Sequence, residues 1–212
     1  MLRKEDINVL MNQLRFELTG ASEGGLKSVM YEVMDEFFRD TSCWRETIPF
    51  TADPSTLTFP IAPSEGQIIR LEGVADTLGN FVPALMPEVG VVQLQHAVNS
   101  AQQLYARVVN NVCLPLTREG YPIAPDWVLQ KWHLAVKEGI IGNMMNQGNM
   151  SYTNKEGALY HLRKFRQHVA NVRSATLRAN TVGAQSWRFP QSYRTGSQKG
   201  GVPPWHGSER TF

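Results

Sequence analysis

The stretch Gly20-Ala-Ser-Glu-Gly-Gly25-Leu26-Lys27-Ser28 comes nearest to a phosphate-binding signature. A P-loop places its lysine directly after a glycine, so that consecutive backbone N–H groups and the ammonium converge on the same phosphates. Here Leu26 separates Gly25 from Lys27, and a helical pattern precedes the glycines where a P-loop has a buried strand. The segment reads as a flexible turn between helices. His96, His133, His161, His168 and His206 fall at no metal-ligand spacing; His161 and His168 share a helix face but have no cysteine partner nearby. Glu32, Asp35 and Glu36 read as a solvated face. No GxSxG, HExxH or CxxC occurs. The chain is therefore expected not to be an enzyme, with no catalytic, cofactor-binding or metal residues assigned.

Chemistry of binding is better represented. The net charge of +2 conceals a division: residues 1–150 hold 11 Lys/Arg against 17 Asp/Glu, whereas residues 151–212 hold 10 against two. A body of −6 followed by a stretch of +8 points to a C-terminal region that meets an acidic partner, either nucleic acid or protein. Past Asn180 the sequence loses its period yet keeps Trp187, Phe189, Tyr193 and Trp205 among Arg188, Arg194 and Arg210. Solvated tails are poor in aromatics, and rings mixed with guanidinium groups are the composition of interface anchors. Residues 181–212 are read as an extended arm whose partner-binding residues are Trp187, Arg188, Phe189, Tyr193, Arg194, Trp205 and Arg210. The preceding helix carries Arg163, Lys164, Arg166, Arg173 and Arg178 outside its apolar stripe, a basic face turned to a partner or to DNA.

Positioning these groups requires a scaffold, and 212 residues with 42% apolar content suffice for one. Ile7, Leu10, Met11, Leu14 and Leu18 form one helical stripe, and Leu26, Val29, Met30, Val33, Met34, Phe37 and Phe38 form a second. After Asp40–Cys43 the period changes from helical to alternating: WRETIPF, TLTFPI, QIIRLEGV and FVPALM read as strands, with Pro49, Pro60 and Pro83 confining them to edges or bulges. Ala97, Ala101, Leu104, Tyr105 and Val108 predict a return to helix near 93–110. Asp126 is the expected N-cap of a helix to about Asn146, and Thr153–Asn154–Lys155–Glu156 the capping box of the last one. The expected fold is mainly α: a helical bundle (1–44 and 93–180) with a small inserted antiparallel β lobe (45–92) and the arm. No apolar run reaches the ~20 residues that span a bilayer, and the N-terminus lacks the apolar core of a signal peptide. Cys43 and Cys113 are expected to be reduced and packed.

The combination FFRDTSCWRETIPF, then GQIIRLEGVADTLGNFVPA, then PDWVLQKWHLAVKEGIIGNMMNQ resembles the head–tail connector, or adaptor, proteins of tailed bacteriophages, the short-tailed type in particular. The resemblance lies in a helix ending in paired aromatics that enters a Trp-Arg-Glu strand, in Ile69–Arg70–Leu71 through Val74 followed by the Asp76–Gly79 turn, and in Trp127, Trp132, Gly139 and Gly142 on one helix. It covers most of residues 26–180. It implies a structural virion protein, assembled in the host cytoplasm, that forms a homo-oligomeric ring, usually a dodecamer, at the head–tail interface. Its partners would be the portal protein and a tail tube or nozzle protein. It would extend or seal the DNA channel with non-specific contact to the genome, and use neither cofactor nor membrane. The alternative reading is a nucleic-acid-binding protein with a basic tail.

Overall fold

A computed structural model describes residues 2–113 and 120–180. The chain divides into two units, Met1–Thr176 and Leu177–Phe212. In the first, the two N-terminal stripes form α1 (Lys4–Glu17) and α2 (Glu23–Thr41). The glycine-rich stretch between them is partly helical: Ser22 caps α2 by accepting a hydrogen bond from the Gly25 N–H, so Gly24 and Gly25 lie in the first turn. The α2 stripe is buried throughout, from Leu26 to Phe38.

The switch from helix to strand takes three residues. Ser42 adopts a left-handed conformation (φ 51°) that ends α2, and β1 (Arg45–Ala52) begins directly after Trp44. Further strands are β2 (Thr58–Pro60), β3 (Gln67–Asp76), β4 (Phe81–Val82), β5 (Ala84–Glu88), β6 (Val91–Leu94) and β7 (Gln102–Asn111). They make two antiparallel sheets, β1-β7-β3-β4 and β2-β6-β5. Pro49 and Pro60 lie on the edge strands β1 and β2, and Pro83 separates β4 from β5, since proline lacks the donor a central ladder needs. One core joins the sheets, built from Ile48, Phe59, Ile68, Val92, Leu104, Val108 and their neighbours.

The helix expected near 93–110 is the strand β7, and the mainly α fold class is corrected with it. Among the described residues the protein is a mixed α and β structure of four helices and seven strands. Leu104, Ala106 and Val108 alternate toward the core, and β7 is central, hydrogen-bonded to β1 on one side and β3 on the other. The three- and four-residue spacings among Ala97, Ala101, Leu104 and Val108 are incidental to this period-two arrangement. The strands therefore run to Asn111, beyond the lobe limits of 45–92.

Helices α3 (Trp127–Met145) and α4 (Lys155–Asn180) complete the helical part. Asp126 does not cap α3: it has helical φ and ψ and pairs with Arg3 at 3.4 Å. Asn154, rather than Thr153, caps α4 by accepting from the Gly157 N–H at 3.0 Å. Gly139 and Gly142 face the neighbouring helices so closely that a Cβ on Gly139 would stand 2.6 Å from Val33 and 3.0 Å from Phe165. Gly139→Ala is expected to cost about 1–3 kcal/mol through overpacking, read as a lowered denaturant midpoint and partly recovered by Phe165→Leu.

Candidate assembly interface

A seam of aromatic and polar contacts joins the helices to the sheets. Phe38 is fully buried there, with its ring 5.6 Å from Phe37, 5.1 Å from Trp44 and 6.2 Å from Trp127. Polar groups lock the same seam. The buried Asn111 at the end of β7 donates to the Asp35 carboxylate of α2 at 2.6 Å, and its own side-chain oxygen accepts from the Val112 N–H at 2.8 Å. Its neighbour Asn110 donates to Glu46 at 2.7 Å, and Glu46 also accepts from the Ser64 N–H. Asn111→Ala strands the Val112 donor in a buried site, and its expected cost is about 1–3 kcal/mol, read as a lowered urea midpoint with the native far-ultraviolet spectrum retained.

On the four-stranded sheet, Glu72 gathers three guanidinium groups. Arg45 Nε is 2.9 Å from Oε1, Arg107 Nε 3.1 Å from Oε2 and Arg70 Nη2 3.8 Å from Oε1. Arg45 also reaches the Thr176 carbonyl of α4 at 3.5 Å. Glu72 and Arg45 are largely covered while Arg70 and Arg107 remain exposed, so the cluster ties β1, β3 and β7 together and leaves excess positive charge outside.

The basic face expected of α4 is divided. Arg163, Arg166 and Arg173 are exposed, as is Arg178 in the second unit. Desolvation by neighbouring protein, then the Asp40 charge, push the Glu36 carboxyl above its ordinary range against the opposing pull of Arg166, although Glu36 keeps exposed area. Lys164 turns back on the protein. It stands 4.4 Å over the Tyr160 ring and 3.7 Å from Glu138, and hydrogen bonding to Tyr160, followed by the Glu138 charge, raises its ammonium. Glu138 also lies 2.6 Å from His161 Nδ1. The arm residues Trp187, Arg188, Phe189, Tyr193, Arg194, Trp205 and Arg210 lie outside the described residues.

Sequence reasoning missed the apolar tip of the β part. Asp76 accepts hydrogen bonds from the Asn80 side-chain amide and from the Asn80 and Leu78 N–H groups, which holds its carboxyl low and organises the β3–β4 turn. Gly79 takes the positive φ of 85° that this turn requires. The turn presents Leu78, 85% exposed, beside Phe81, 70% exposed. A cleft of about 430 Å³ runs between β3 and β5, with Ile69, Leu71, Phe81, Leu85 and Met86 in its walls and Arg70 on its rim. The signal available was the DTLGNF turn itself, where two large apolar residues flank hairpin chemistry.

Among the described residues no group of three or more His, Cys, Asp or Glu is placed to hold a metal, and no helix is long and apolar enough to cross a membrane. No protein-family model matches the chain, and no curated protein matches it.

Proposed function

We propose that this protein is a head–tail adaptor of a tailed bacteriophage: a structural subunit of a ring between portal and tail that extends or seals the DNA channel and docks tail components. The observation that carries the reading is the immobilised seam, in which Phe38, Trp44 and the Asn111–Asp35 hydrogen bond join a helical body to a β part with an apolar tip. A closed ring demands such stiffness, because head-to-tail contacts close only if every subunit keeps the same rotation. The family-like motifs around Trp44, Arg70 and Trp127 supply the rest of the support. The arm is the portal-binding element in this reading, and the exposed arginines of α4 face a partner or the channel.

Removing residues 181–212 tests the assignment. Both cores lie within Met1–Thr176, so the shortened chain is expected to fold and to fail to co-sediment with its portal ring. Normal co-assembly of the shortened chain would reject the arm's role. The exposed Arg163, Arg166 and Arg173 favour DNA contact as a second reading. That reading requires affinity of the intact chain for duplex DNA that falls steeply between low and moderate salt.

A further inference from the structure

The cleft between β3 and β5 is bordered by two incomplete sheet edges. Along its outer edge β3 pairs with β4 only at Val74 and Ala75, which leaves Gln67–Gly73 without a strand on that side among the described residues. β5 ends the other sheet, paired to β6 alone. A further strand could add to the open length of β3. Unpaired edges of this kind either carry protective charges or receive an added strand. This edge carries Arg70 and Glu72, which pair with each other, but its cleft is walled by Ile69, Leu71, Phe81 and Leu85, with Phe81 and Leu85 both substantially exposed.

The occupant can be argued from side-chain pattern and reach. Within residues 181–212, Gln185, Trp187 and Phe189 alternate with Ser186 and Arg188. Such a strand sets both rings on one face, as an apolar cleft requires. Pro190 then ends its capacity to donate. The 32 residues after Asn180 span up to roughly 100 Å when extended, enough to reach a neighbouring subunit. We infer that residues 184–189 of one copy add as a strand to the β3–β5 cleft of a second copy, with Trp187 and Phe189 against the apolar wall. This rests on the adaptor reading and deepens it: the front of the arm staples adjacent subunits of the ring, leaving residues beyond Pro190 for the portal.

Two measurements on the full-length chain test it. Leu85→Arg and Trp187→Ala/Phe189→Ala are each expected to weaken self-association, followed by sedimentation velocity, about tenfold or more, as loss of a central anchor does. Chains bearing Leu85→Cys alone and Phe189→Cys alone, mixed and oxidised, are expected to give a cross-linked dimer that neither gives by itself. Leu85 is already partly exposed, so its variants test binding rather than folding. Self-association unchanged in Leu85→Arg, a wild-type chain that stays monomeric at every concentration, or a cross-link that forms only when one chain carries both cysteines would each overturn the inference. Portal co-sedimentation of the same variants separates the two ideas. A wild-type chain that self-associates through the cleft but ignores portal removes the adaptor reading alone, whereas portal binding with an inert cleft removes only the staple.

Discussion

Gly66→Val is expected to unfold the seam between the helices and the sheets. Gly66 has φ 78°, a region that costs an L-residue roughly 1–2 kcal/mol and a β-branched one more. A Cβ there would also stand 2.5 Å from Trp44 Cη2 and 2.9 Å from Cζ3, and would press into the Asn111 carbonyl. The ring cannot retreat, because Phe38 packs against it, and the carbonyl belongs to the end of central strand β7. Backbone strain and overpacking together give an expected loss of about 3–5 kcal/mol, a large part of the stability of an ordinary domain. Urea denaturation of the purified variant checks it. Gly66→Ala in a Trp44→Ala background separates the causes: removing the ring relieves the ring clash, while the φ penalty and the clash with Asn111 remain. A Gly66→Val variant as stable as the wild type would show that this turn has another accessible conformation.

Phe38→Ala is expected to have the next largest effect. The side chain is wholly buried and touches three other aromatic rings, two of which reach it from beyond its own helix. Truncation leaves a cavity at the meeting point of α2, β1 and α3, with an expected cost of about 3–5 kcal/mol. The functional consequence should exceed that of an equal loss elsewhere. A cavity at the seam allows the β part to shift against the helical body, and in the proposed ring, closure would depend on that angle. At temperatures where the variant is still folded, negative-stain microscopy with portal present is expected to show open or irregular rings. Phe38→Leu, which keeps most of the volume, should restore closure. Leu104→Ala offers the comparison, being equally buried in the sheet core and near the end of β7 away from Asn111. Regular rings from Phe38→Ala would remove the link between seam stiffness and assembly.

Much of this organisation is legible in the spacing of side chains along the sequence. The stripes of α1 and α2 follow one period for several turns, and their buried faces agree residue by residue with that period. The abrupt change of spacing between Arg39 and Trp44 marked the seam, because a helix and a strand bury different positions and cannot share one pattern. The start of α4 was readable as well, although Asn154 makes the capping hydrogen bond and Thr153 instead donates to the Gln147 carbonyl.

Local pattern by itself determined the apolar faces of α1 and α2 and where α1, α2 and α4 run, since those depend on neighbours within a few residues. Tertiary structure decided the rest. Gln102–Asn111 is a strand because β1 and β3 complete its hydrogen bonds on both sides, partners that stand dozens of residues away along the chain. The Glu72 cluster, the Asn111–Asp35 bond and the open edge beside β3 likewise exist only once distant segments meet. Hydrogen-bond partners and packed neighbours of that kind leave no trace in the spacing of side chains along one segment.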